Sequence, residues 1–253
     1  MVMKNLILIF ITLFLFNKET IKAQDLNFNG AAPSVSITSA FKNNVDINFL
    51  AVSKIRLGNY AIKEMHYSNQ VLEIYSQLLV SYKISPHWQI GGGYGFQRNN
   101  PFDDNWRNEH RLVQQILFNI SGKKSRFYNR FRFEERWFSY PTAPSAFGTR
   151  ARYQVGFIRK LRGDNVYWQI NNEIYAIPSG PKNSFISENW IYSGIGFPVK
   201  GLGRWESGIG YNTNVRNTHK DLLNLLLLQV SWSYIFSSAK MKTMHPVMNS
   251  RHF

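Results

Sequence analysis

Arg126–Phe138, RFYNRFRFEERWF in one-letter code, restricts the fold more than any other stretch of the chain. One register carries Arg126, Tyr128, Arg130, Arg132, Glu134 and Arg136; the other carries Phe127, Asn129, Phe131, Phe133, Glu135 and Trp137. A period of two over this length is a β-strand. It is long beside the roughly five or six residues usual in a soluble domain. The aromatic face requires an apolar neighbour, while the four arginines opposite require water or counter-charges. A strand crossing an outer membrane, with lipid outside and a polar lumen inside, meets both demands. A two-sided sheet in solution is the competing arrangement, and the remaining strands decide between them.

The start of the chain points to export. Met1–Lys4 is short and basic, Asn5–Phe16 is almost continuously apolar, and Ile21-Lys22-Ala23 precedes Gln24. That is the order of a secretory leader cleaved after Ala23, and its apolar run falls short of the about 20 residues a spanning helix needs. There is no cysteine, so an exported fold of this size relies on a large core or a closed sheet rather than disulfides. The formal charge of +15 would suggest nucleic acid in a cytosolic chain. In an exported one it suits anionic lipid head groups and lipopolysaccharide phosphates instead.

Alternating stretches recur along the chain. Short turns follow the strands ending near Lys83, Ile120, Lys160 and Phe197; long loops follow those ending near Arg56, Gln97, Phe138, Tyr175 and Asn212. Outer-membrane barrels have short periplasmic turns, longer external loops and an even strand number. Ten strands counted from Val45 satisfy that parity. Val35–Lys42 is either a lead-in or, with one more segment, part of a set of twelve. Gln24–Ser34 reads as a polar, Gly/Pro-containing lead-in, Leu57–Asn69 as a long polar connection, and Leu225–Leu228 as a break in the last strand's alternation. Gly91–Gly95 lies inside a strand pattern, with the wrong spacing for a dinucleotide-binding turn. The predicted fold is all-β, a transmembrane antiparallel outer-membrane β-barrel of 10 to 12 strands. It places a signal peptide at 1–23, the barrel at 24–238 and a basic tail at 239–253.

In that barrel one register of neighbouring strands brings Glu109, Arg111, Arg130, Arg132, Glu134, Arg136, Arg150, Arg152, Tyr167, Gln169 and Glu173 to a common lumen. Arginine forks pair well with carboxylates, and cross-strand partners stand about 5 Å apart. The expected function is therefore an outer-membrane barrel of unassigned activity whose lumen is filled by an Arg/Glu/Tyr network. The alternatives are a narrow anion-biased channel or small-ligand-binding barrel, and a lipid-modifying outer-membrane enzyme. The enzyme reading is the weaker, since no HExxH or GxSxG motif is present. His66, His87, His110, His219, His245 and His252 are dispersed, and His110 shares its register with Leu112. No metal site or cofactor is called for. Phe102 and Trp106 are loop aromatics that suit an adhesive contact or an interfacial belt. The expected partners are outer-membrane lipid, lipopolysaccharide and the barrel-assembly machinery, not nucleic acid.

Several motifs occur in a set order: Gly91-Gly92-Gly93-Tyr94; Glu109-His110-Arg111 with Gln114-Gln115; Arg130-Phe131-Arg132-Phe133-Glu134-Glu135-Arg136; Arg150-Ala151-Arg152-Tyr153; and Asn172-Glu173-Ile174. In these the chain resembles the Gram-negative outer-membrane domain-of-unknown-function family numbered 2490. The stretch from Asn189 to Gly196 departs from the family pattern, with Trp190 where the family commonly has an arginine. The resemblance implies an exported outer-membrane β-barrel and brings no catalytic residues with it.

Overall fold

The structure is a computed structural model describing residues 25–41, 44–62, 65–161, 166–182, 184–216 and 221–237. The expected leader, the tail and His219, His245 and His252 lie outside the described residues. In chain order the strands are β1 (Leu26–Phe41), β2 (Val45–Leu57), β3 (Tyr60–Ile62), β4 (Met65–Tyr67), β5 (Gln70–Lys83), β6 (Trp88–Asn99) and β7 (Arg107–Ser121). They continue with β8 (Ser125–Ser139), β9 (Ala146–Lys160), β10 (Tyr167–Ser179), β11 (Ile186–Val199), β12 (Gly203–Val215) and β13 (Leu222–Ser237). All but β3 and β4 close into one barrel, each next to its sequence neighbour. The wall strands run 12 to 16 residues, longer than the about 9–11 tilted residues that cross a bilayer.

The barrel therefore has eleven strands. An up-and-down meander with an odd number of strands brings its first and last strands to the seam pointing the same way. Accordingly β1 pairs antiparallel with β2 and parallel with β13. Several expectations are corrected here. Residues 26–34 are wall, continuous with the segment from Val35, and even parity does not hold. The supposed polar connection after β2 also contains structure, the β3–β4 hairpin, whose Tyr60 and Tyr67 rings pack 4.9 and 5.0 Å from Phe28. From Leu225 onward β13 alternates: Leu225 and Leu227 are buried inward, and Leu226 and Leu228 are exposed on the outside.

The outer face is apolar and the inner face mostly polar. Phe49, Leu78, Ile116, Phe131, Ile170 and Leu228 are exposed on the outside of the wall. Tyr82, Trp88, Phe197 and Trp205 gather at the short-turn end, as in the aromatic girdle of a membrane barrel. Water cannot solvate so large an apolar belt without cost, whereas lipid covers it. The strands provide the crossing, and no helix among the described residues is long and apolar enough to do so.

Inside, tyrosines lie across glycines on the neighbouring strand. Tyr128 faces Gly156, and Tyr167 faces Gly196, in direct register. A Cβ added at Gly156 would come 2.2 Å from Tyr128 Cζ, and one at Gly196 would come 2.2 Å from Tyr167 Cζ. The missing side chain is what lets each ring lie flat on the wall. Gly156→Ala should therefore lower the urea midpoint of the detergent-folded barrel by overpacking, at about 1–3 kcal/mol. Adding Tyr128→Ala should remove most of that extra penalty. Gly92→Ala is the control, because its outward Cβ meets only Val113 O at 3.6 Å.

Candidate functional site: the arginine–glutamate lumen

The pleat delivers an unfavourable arrangement that carboxylates repair. Arg111 stands directly opposite Arg136, and Arg132 opposite Arg152, and like charges in direct register repel. Glu109 joins the first pair: it accepts from Arg136 Nε at 2.5 Å and Arg136 Nη2 at 2.9 Å, and also from Arg111 Nε. Glu134 accepts from Arg150 Nε at 2.7 Å and from Arg152 Nη1 at 2.9 Å. Glu173 takes a two-pronged contact from Arg152, Nε at 3.0 Å and Nη2 at 2.9 Å, and a third bond from Arg130 Nη2 at 3.0 Å. Arg152 thus links β8 to β10 through β9.

All three carboxylates have no solvent exposure. At such depth an ion pair is strong but its formation is offset by lost hydration, so what matters is that no partner be removed. Aromatic faces complete the guanidinium environments: Arg152 lies 4.5 Å from the Tyr175 ring, Arg111 5.0 Å from Tyr75 and Arg136 4.7 Å from Phe138, within cation–π range.

The structure brings nine of the expected lumen residues into this ladder: Glu109, Arg111, Arg130, Arg132, Glu134, Arg136, Arg150, Arg152 and Glu173. Tyr167 and Gln169 also point inward but serve a separate centre. Glu206 accepts from Tyr167 Oη at 2.6 Å, Gln169 Nε2 at 2.8 Å and Tyr192 Oη at 3.0 Å. Glu206 lies on the inward register of β12, and chain order alone does not connect it to these residues. Alternation likewise puts Gln77 and Gln115 on polar faces without tying them to Arg132, from which they accept at 3.0 and 2.8 Å. Across the lumen Lys54 lies between Glu73 and Glu188, at 3.6 and 3.8 Å. Inward alternation marks all of these positions, but uncharged glutamines and contacts across the barrel carry no signature in a linear pattern.

The described histidines stay outside the ladder. His110 is on the outward register of β7 and hydrogen-bonds the Tyr94 hydroxyl. His66 is on the exposed β4, and His87 Nδ1 lies 2.9 Å from Asn119 O in a short turn. Among the described residues no group of three or more His, Cys, Asp or Glu is placed to hold a metal. In the loop after β6 Phe102 is 80% exposed, whereas Trp106 lies under the Arg98 guanidinium at 4.7 Å.

Residues 34–224 match the model of a family described as "Protein of unknown function (DUF2490)". The chain belongs to the DUF2490 family. No curated protein matches it. Among solved structures, "NanC porin structure in rhombohedral crystal form" is similar at 10% identity over 75% of this chain and 85% of that one, with a TM-score of 0.46. With its closed wall, lipid-facing apolar exterior and polar lumen, this DUF2490 chain is an outer-membrane β-barrel.

Removing Glu173 leaves Arg130 buried without a carboxylate partner and Arg152 with Glu134 alone. In the DUF2490 barrel Glu173→Gln should cost about 3–5 kcal/mol, read as a lower urea midpoint by tryptophan fluorescence. Glu135→Gln, on the outward register of the same wall, should leave the midpoint unchanged or raise it.

Proposed function

We propose that the protein is a sealed outer-membrane barrel, in which the ladder and the apolar side chains opposite it fix the wall and deny solutes a diffusion path. One observation supports this above the others. Trp190, Arg111, Arg130, Arg132, Arg152, Tyr75, Tyr175 and Tyr192 all point into the lumen with less than 2% of their surface exposed, save Arg130 at 2%. A continuous water column would leave its lining wet. An eleven-stranded wall is narrow, and these are among the bulkiest side chains available to fill it.

In this reading the long loops between β6 and β7, β8 and β9, and β10 and β11 form the exterior surface, and the short turns face the periplasm. Residues 1–23 are the export leader, 24–238 the barrel and 239–253 a basic tail. Outer-membrane lipid surrounds the wall, the chain's basic surplus faces lipopolysaccharide phosphates, and insertion proceeds through barrel-assembly machinery.

Planar-bilayer recording tests the seal. The refolded full chain should add no discrete current steps above the detergent control. Regular steps, with a reversal potential favouring anions, would replace the sealed barrel with a narrow anion-biased channel.

A further inference from the structure

The charges of the ladder do not balance. Six guanidinium groups, on Arg111, Arg130, Arg132, Arg136, Arg150 and Arg152, meet three carboxylates, Glu109, Glu134 and Glu173. Lys54 with Glu73 and Glu188 brings one net negative charge on the facing wall, which reduces the surplus without cancelling it. Glu206 is engaged by two tyrosines and a glutamine.

The shortfall is concentrated at Arg132. Its Nη atoms donate to two neutral amide oxygens, Gln77 Oε1 and Gln115 Oε1, and its nearest carboxylate oxygen, Glu134 Oε1, is 3.9 Å away. The donors left over have a common character. Arg132 Nε, Arg130 Nε, Arg111 Nη1 and Gln77 Nε2 have no acceptor among the described residues, and each of these side chains is 1–2% exposed. Gln77 cannot turn its amide to help, because its oxygen already accepts from Tyr75 Oη at 2.8 Å as well as from Arg132.

A buried amine relieves such strain by losing its proton, but a guanidinium keeps its charge. A surplus of buried cations is costly unless an anion offsets it. From these groups we infer that Arg132, with Arg130 and Gln77, binds a small oxyanion inside the barrel. The ligand class follows from the donor set: each of these four groups is an N–H, three of them on guanidinium groups, which pair with the oxygens of a carboxylate or phosphate. This inference rests on the sealed-lumen reading, since a water-filled lumen would neutralise the surplus with mobile ions.

The test uses the full chain folded in detergent. Its urea midpoint is followed while inorganic phosphate or acetate replaces a bulky sulfonate buffer at constant ionic strength. Binding to the folded state should make the midpoint climb with the logarithm of anion concentration. A climb with phosphate, acetate or both supports the site and names its source; no climb with either overturns it. Gln115→Glu places a carboxylate on Arg132 Nη2, and should fold at least as well without added anion while losing the climb. Arg132→Gln should lose it too. A climb of native size in Gln115→Glu would assign the effect to surface screening and overturn the proposal. Bilayer current reports separately on the seal, so failure of the anion site and failure of the seal are told apart.

Discussion

Two buried carboxylates on either side of one guanidinium hold the middle of this barrel in register. Glu134 on β8 and Glu173 on β10 both bond Arg152 on β9. In a sheet a slip of one residue exchanges the two faces of a strand. For β9 that slip would send Arg150 and Arg152 into lipid and take from Glu134 and Glu173 every contact they make with β9. The ionic ladder gives few stable alternatives to the native pairing, which is a stronger statement than any estimate of its net contribution. Buried ion pairs often add little net stability over an apolar core, yet losing one partner is severe. Here that asymmetry works as a specification of register.

The seam is built on different physics. An odd meander must close in parallel, and parallel ladders are slightly weaker per residue than antiparallel ones. Pro33 adds to the difficulty: it stands opposite Val230 on β13 and supplies no N–H. The β1–β2 pairing passes from Ala31 opposite Ile55 to Ser34 opposite Val52 around it. Inside this seam lies an apolar cluster of Leu26, Phe28, Leu50, Val52, Leu225 and Leu227, extended by Trp190 and Tyr192. Burying each aliphatic or phenyl group contributes roughly 1.5–3 kcal/mol, which offsets the weaker ladder.

That inversion also explains what could and could not be read from the chain. Arg126–Phe138 announces itself because polar residues point in and aromatics point out, the pattern expected of a membrane strand. The same rule placed Glu109, Arg111, Arg150, Arg152 and Glu173 in one lumen. Residues 26–33 break the rule. Their inward set is Leu26, Phe28, Gly30 and Ala32, while Asn27, Asn29 and Pro33 face out, so the stretch looks like a polar lead-in. Leu225 and Leu227 looked like a fault in alternation for the same reason, since both faces of β13 are apolar there. The β3–β4 hairpin escaped because strands of three residues are too short for a period to show. The partners of Glu206 were not readable because Tyr167 and Tyr192 reach it from other strands, and only the closed wall brings them together.

The two halves of the lumen depend on each other. Side chains from the seam and from β11 exclude water, and that exclusion lowers the local dielectric around the ladder. A low dielectric strengthens every paired contact and raises the cost of every unpaired one. Arg152, with carboxylates on two sides, gains from that environment. Arg132, held by two glutamines, does not. The packing that makes the ladder rigid is therefore also what concentrates the barrel's unmet charge at one arginine.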